Sequence, residues 1–204
     1  MRRAEFECFD EDLIQTMLDT TPFGTLCINA EPTAYGVPLS FCYAKGEFIF
    51  HGAASGRKFA LLKGTPLVSF TACKPYAYIG SGFLGGKMVP TQFFFSVMAV
   101  GRFEVVSDNA RKKGLLQALV RKYEPENPRF ELSGNFQGKE RGVFVGVLKP
   151  ETLSAKAKFG QNLSEKDFDS IICDLQKRNL PLDKETINLM RYFAKIKTQK
   201  SKKP

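Results

Sequence analysis

The stretch FIFHGAASGRKFALL, residues 48–62, decides how the chain is read. Phe48, Ile49 and Phe50 make an apolar, strand-like run. Gly52, Ala53, Ala54, Ser55 and Gly56 make a turn of small residues. Arg57 and Lys58 follow, and RKFALLKG then reads as a helix. His51, the only histidine of the chain, stands at the strand end. Small residues let backbone N–H groups come close to an anion. Ser55 can donate a hydroxyl hydrogen bond, Arg57 offers a planar fork, and Lys58 adds a point charge. A helix starting there also points its N-terminal dipole at the same place. Spacing alone leaves two readings open: a site for one dianionic group such as a phosphate, or a plain helix start with two exposed bases.

Working outward, the surrounding sequence is strand-like. GTLCINA, GVPLSFCYA, EFIFHG, LVSFTAC, AYIG and QFFFSVMAVGRFEVV are short β-branched or aromatic runs separated by Gly, Pro and Asn. AKGE at 44–47 reads as a hairpin turn. Such spacing predicts an antiparallel sheet or barrel. Helical periodicity appears on either side. DEDLIQTMLDT, 10–20, has Asp10 as N-cap and Leu13, Ile14, Met17 and Leu18 on one face. NARKKGLLQALVRKY, 109–123, ends before a proline. GVFVGVLKPETLSAKAKF predicts one or two further strands. LSEKDFDSIICDLQKR opens with Ser164 and Asp167 as a capping box, and a last helix is expected near 183–196. The reading is α+β, mainly β, with a main domain over 1–160, a helical extension over 161–196 and a basic tail over 197–204 expected to be disordered.

Composition narrows the function. The 204 residues are 43% hydrophobic, enough for a full core. No run of about 18 apolar residues predicts a membrane span, and the first residues lack the apolar core of a secretory signal. Five well-separated cysteines without a CxxC pair suit free thiols in a reducing cytoplasm. One histidine rules out a His-rich metal site. The net charge of +9 is concentrated at the end, where KIKTQKSKKP carries five lysines and no acid. That favours a solvated tail over a nucleic-acid surface. GSGFLGG, 80–86, satisfies GxGxxG, but a proline and a β-rich run follow instead of a helix, so it reads as a mobile inter-strand loop. No Ser-His-Asp grouping or usefully spaced carboxylate pair is present, so chemistry is expected from a bound cofactor.

The block GVPLSFCYAKGEFIFHGAASGRKFALLKGTPLVSF resembles the flavin-binding segment of the pyridoxamine-phosphate-oxidase-like split barrels, and most of all their nitroimidazole-resistance (Nim-type) branch. The likeness rests on Val37-Pro38-Leu39-Ser40-Phe41 and on the turn from His51 to Lys58. Ser96, Val97, Gly101, Glu104 and Val105 match a later family strand, so roughly residues 10–150 are covered. SAKAKFGQNLSEKD is similar, more weakly, to PaiB-like proteins. The resemblance implies a six-stranded antiparallel split β-barrel with flanking helices, binding FMN at a homodimer interface. It implies that Arg57 and Lys58 hold the flavin phosphate, with Ser55 and Gly56 in the same turn. It places the backbone of Val37, Pro38, Leu39 and Ser40 along the isoalloxazine ring, and His51, Gly52 and Ala53 beside the ribityl phosphate. Ser96, with Val97, takes the place of a glutamine that oxidases of the family set near the ring. Lys158, Gln161 and Asn162 are expected to reach the partner's cofactor. Ser96 is shorter than that glutamine and the chain has no tryptophan, so a true pyridoxamine phosphate oxidase is not expected. The expected activity is electron transfer from a nicotinamide donor to a small electrophile such as a nitroaromatic. The alternatives are a non-catalytic flavin protein, or a haem-binding or haem-degrading barrel with His51 as ligand. The phenylalanine run 93–95 reads as core and interface packing, and strand 93–97 offers more apolar surface than one small core easily hides, which favours the dimer.

Overall fold

The computed structural model describes residues 3–127, 129, 132 and 142–200, without the side chains of 197–200. Two compact units divide the chain. One consists of Asp10–Ala72 and Val97–Ser154, the other of Met1–Phe9, Cys73–Ser96 and Ala155–Pro204.

In the first of these units, α1 (Glu11–Thr20) starts where Asp10 accepts a hydrogen bond from the Leu13 N–H at 2.9 Å. This is the expected N-cap, and Ile14, Met17 and Leu18 are buried. Strand β2 (Phe23–Ile28) pairs antiparallel with β3 (Tyr35–Ser40) on one side. On its other side it pairs with β6 (Leu67–Ile79) as far as Ala72. Strands β4 (Cys42–Ala44) and β5 (Glu47–Ala53) form the expected hairpin. Lys45 and Gly46 between them have φ of 53° and 78°, the left-handed pair that a two-residue hairpin turn needs. Strand β5 pairs with β8 (Val143–Lys158) from Phe48↔Leu148 to Ala53↔Val143. The short α2 covers Gly56–Leu62, and α4 covers Asn109–Tyr123. Helix α4 packs Leu116 and Leu119 over Cys42, Ile49, Val145 and Val147. At the centre, Phe70 meets Phe41, Phe48 and Phe50 at centroid distances of 4.9, 5.0 and 5.1 Å. Each of these rings is fully buried, and together they form the main apolar mass of this core.

The other unit contains β1 (Glu7–Cys8), which pairs with the end of β8 through Glu7↔Lys156 and Cys8↔Ala155. Strand β7 (Thr91–Val105) begins here, and helices α5 (Glu165–Arg178) and α6 (Asp183–Lys200) close the chain. Ser164 caps α5 through the Asp167 N–H, and Ile171, Ile172 and Leu175 form its buried stripe. Phe159 is the hub of the core, in contact with Tyr76, Phe93 and Phe193. Helix α6 continues to Lys200, into the segment read as a tail; residues 201–204 lie outside the described residues.

Among the described residues eight strands form an antiparallel sheet in the order β3-β2-β6-β7-β8-β5-β4, with β1 on β8. It is a split barrel rather than a closed one. The six long strands are those of the expected barrel; the count rises to eight through the two-residue β1 and the three-residue β4. LVSFTAC and AYIG, read as separate runs, are one strand, β6, that continues through Pro75. Pro75 lies beyond Ala72, where pairing with β2 ends, so no ladder donor is demanded on that side. GSGFLGG is followed by a strand, as expected, but its centre is a helical turn, α3 (Phe83–Gly86), with left-handed Leu84 and Gly85. The Leu84 N–H donates to Asp174 at 3.0 Å and Phe83 is buried, so side chains of its own unit fasten this loop. Among the described residues no helix is long and apolar enough to cross a membrane.

Candidate cofactor site

The turn after β5 is built as the sequence suggested. Ser55 is the N-cap residue of α2, with extended backbone, and its side chain makes no capping bond. Gly56 follows at φ +82°, a conformation that favours glycine. The Ala54 N–H is already committed to the Gly142 carbonyl at 2.9 Å. Helix α2 has only 7 residues, so few aligned peptide dipoles add up at its start. The two bases, more than the dipole, make the place attractive to an anion.

Arg57 lies over the Tyr35 ring with its guanidinium carbon 4.8 Å from the centroid. Tyr35 opens β3, and β3 also approaches β5. The start of the Val37–Ser40 strand and the Arg57 turn, far apart in sequence, are therefore brought together. Lys58 folds back across the end of β5, with Nζ 5.5 Å from the centroid of Phe144 on β8. Glycine leaves it room: a Cβ on Gly52 would come within 2.7 Å of Lys58 Nζ and 2.9 Å of Phe144 Cε1, so the lysine or the ring would have to move. Burial lowers the Lys58 pKa below its ordinary value. Among the described residues neither base has a salt bridge.

His51 is exposed on the same strand end and faces Val145 across the ladder. The residue is exposed at its surface, but the partial cover its ring receives, followed by the charge of Lys58, holds its pKa below 6.5. It is therefore neutral near pH 7. Strand β3 ends the sheet order, so among the described residues only one of its edges is paired, by β2. Pro38 is tolerated there because an edge strand need not donate on both sides. Leu39 is buried, while Val37 and Ser40 are partly covered.

The remaining expected residues have different surroundings. Val97 is fully buried, which leaves its backbone alone available to a ligand. Ser96 is half-buried on the opposite face of β7. Lys158 bonds the Thr91 hydroxyl. Gln161 closes its own turn, accepting from the Phe159 N–H and donating to the Ala157 carbonyl, both at 2.7 Å. Asn162 is exposed. Phe93 and Phe95 are buried within one copy of the chain, at 2% and 1% exposure. Those two rings therefore give no reason for a dimer. Sequence reasoning missed Tyr35 and Phe144. Nothing local to either residue signals its role, because each meets its base only through strand packing.

The family description Pyridoxamine 5'-phosphate oxidase matches residues 10–157, most of the chain and all of this turn. The chain belongs to that family. A curated relative, the Protease synthase and sporulation protein PAI 2 of Bacillus subtilis (strain 168), is 28% identical over 207 residues. The match covers 95% of this chain and 97% of that protein, so the helical extension after the family segment is included. The FAD and heme binding protein of Mycobacterium smegmatis has the same fold, with a TM-score of 0.67 at 18% identity. That likeness covers 80% of this chain and 78% of the other. A 5-nitroimidazole antibiotic resistance homologue from Bacteroides thetaiotaomicron gives 0.61 at 20% identity, over 74% and 85%. Family membership and the split-barrel fold are thus established together.

Proposed function

We propose that this family member is an FMN-binding flavoprotein that passes electrons from a nicotinamide donor to a small electrophile such as a nitroaromatic. The observation that carries the reading is the pair of bases at the end of β5, held on aromatic rings with no carboxylate among the described residues. A phosphate fits that place. Ser55 keeps its hydroxyl out of the helix cap, and Gly56 brings no side chain into the turn. In this reading Arg57 and Lys58 hold the phosphate, with His51, Gly52 and Ala53 beside it. The edge of β3 from Val37 to Ser40 lines the ring system, and Ser96, with Val97, lies near it. FMN, when bound, supplies the capacity to accept and release electrons. The chain orients the cofactor and excludes competing groups. The Nim-type motifs and the fold shared with the nitroimidazole resistance homologue support the electrophile class. Two copies sharing FMN at their interface, with Lys158, Gln161 and Asn162 reaching the partner's cofactor, complete the proposal.

The test is direct. Purified protein titrated with FMN should quench flavin fluorescence saturably, and the loaded protein should oxidise a nicotinamide donor when a nitroaromatic is added. Flavin binding without turnover would leave a non-catalytic flavin protein. The haem reading is kept because His51 is exposed and neutral, as an axial imidazole must be. Haem binding that depends on His51, without FMN binding, would replace the first reading.

A further inference from the structure

A cation awaiting an anionic ligand is usually disordered or paired. Arg and Lys side chains lose much rotamer freedom when fixed. A carboxylate partner fixes them but occupies the donors a ligand needs. At the turn after β5 the chain takes a third course. The Arg57 guanidinium lies over the Tyr35 ring at 4.8 Å, and the Lys58 ammonium over Phe144 at 5.5 Å. An aromatic face attracts a cation by its quadrupole without accepting its N–H bonds in the plane. Guanidinium stacking leaves the five in-plane donors directed outward, where a phosphate can take two. Phe144 is itself rigid, 2% exposed and stacked on Phe59 at 5.5 Å. The backbone that carries the Tyr35 ring is held by the ladder between β3 and β2. Gly52 leaves the gap through which Lys58 reaches its ring.

We propose that Tyr35 and Phe144 are positioning residues of the phosphate clamp, ordering Arg57 and Lys58 in place of carboxylates so that both charges stay available to the ligand. The inference rests on the FMN reading above and adds the two rings that prepare the site before the ligand arrives. The two rings reach the turn from opposite sides in sequence, 22 residues before Arg57 and 86 after Lys58 (57 − 35 and 144 − 58).

The experiment compares FMN with riboflavin, which lacks the phosphate, in the wild type and in Tyr35→Phe, Tyr35→Leu and Gly52→Ala. A cation–aromatic contact at a partly exposed position corresponds to roughly a two- to fivefold change in affinity. Tyr35→Leu should weaken FMN binding by about that factor and leave riboflavin unchanged. Tyr35→Phe, which keeps the ring, should match the wild type. Gly52→Ala, which displaces Lys58 from Phe144, should also lower FMN affinity selectively. Unchanged FMN affinity in both Tyr35→Leu and Gly52→Ala would overturn the proposal, as would an equal loss for both flavins. A wild type that binds FMN no better than riboflavin, or binds neither, removes the phosphate assignment itself and the inference with it.

Discussion

Arg178 and Arg57 both lie against an aromatic ring, Phe83 at 5.1 Å and Tyr35 at 4.8 Å. Beyond the ring they differ. Arg178 donates Nε and Nη2 to the two oxygens of Asp183 at 2.9 and 2.5 Å, and Nη1 to the Tyr78 carbonyl at 2.6 Å. Asp183 is buried and also accepts from the Leu180 N–H. All three nitrogens of that guanidinium donate within its own unit, where it ties the turn between α5 and α6 to β6. Arg57 has the ring and, among the described residues, no carboxylate. One side chain is a staple and the other is held ready. A count of basic residues cannot separate them; the neighbouring carboxylate does.

The largest expected effect comes from breaking the staple. Arg178→Ala leaves Asp183 buried without its cation, a situation that costs about 3–5 kcal/mol in a well-covered pair and less where, as here, the arginine is partly exposed. Chemical denaturation should show a loss of roughly 2–3 kcal/mol, with FMN affinity in the folded protein unaltered. Burial raises the Asp183 pKa, but the Arg178 and Leu180 hydrogen bonds and the Arg178 charge outweigh it and hold the carboxyl below 3.8. A depressed carboxylate gives stability that is full above the unfolded value and lost as pH falls through the folded one. Acid unfolding of the wild type should therefore include a step below about pH 4 that Arg178→Ala lacks.

Emptying the other region should do the reverse. Arg57→Ala and Lys58→Ala each remove a charge-assisted contact of about 1.5–3 kcal/mol, roughly ten- to a hundredfold in FMN affinity. Stability should hardly change, because among the described residues neither base has a carboxylate to leave stranded. If both variants bind FMN as the wild type does, the site is misplaced.

How far the sequence carried the reading follows from the same contrast. Features set by neighbours in sequence were legible. The Asp10 and Ser164 caps, the hairpin at Lys45-Gly46 and helix 109–123 all depend on residues a few positions apart. The turn from His51 to Lys58 was legible for the same reason. Continuity of β6 through Pro75 was not, because it depends on where β2 stops. The Tyr35 and Phe144 platforms were not, because their distance from Arg57 and Lys58 closes only in the folded sheet. The core packing read from Phe93–Phe95 was legible for Phe93 and Phe95, which are buried; that Phe93 meets Phe159, itself stacked on Phe193 of α6, was not, because those residues lie far along the chain.

A third cation falls between the two extremes. Lys122 donates to the Leu18 and Thr21 carbonyls at 2.9 and 2.8 Å, closing the end of α1, and lies 3.6 Å from the Phe41 ring centroid. Burial pushes its pKa from 10.5 down to about 8. The folded state therefore sheds this proton before the unfolded state does, and stability gains from this group as pH rises from about 8 to 10. Lys122→Met should abolish that gain and cost about 1–2 kcal/mol at neutral pH, because the Thr21 carbonyl loses this donor and the Leu18 carbonyl keeps only the Thr21 N–H, at 3.3 Å.

His51 should show the smallest effect on affinity and the clearest view of the clamp. Its ring is neutral at pH 7 because burial and the Lys58 charge both disfavour a second positive charge. Being neutral, it adds little to phosphate affinity, so His51→Ala should change FMN binding by less than about threefold, within 1 kcal/mol. Its titration, followed by NMR through the ring protons, reports the local charge. In the wild type the midpoint should lie below 6.5. Removing the charge in Lys58→Ala should raise it, and adding FMN should raise it too, because a dianion beside the ring favours the imidazolium. Riboflavin should leave it where it was. A midpoint that ignores both Lys58→Ala and FMN would mean that the histidine and the two bases do not share one anion site. Arg57 would then be, like Arg178, a side chain with a structural task only.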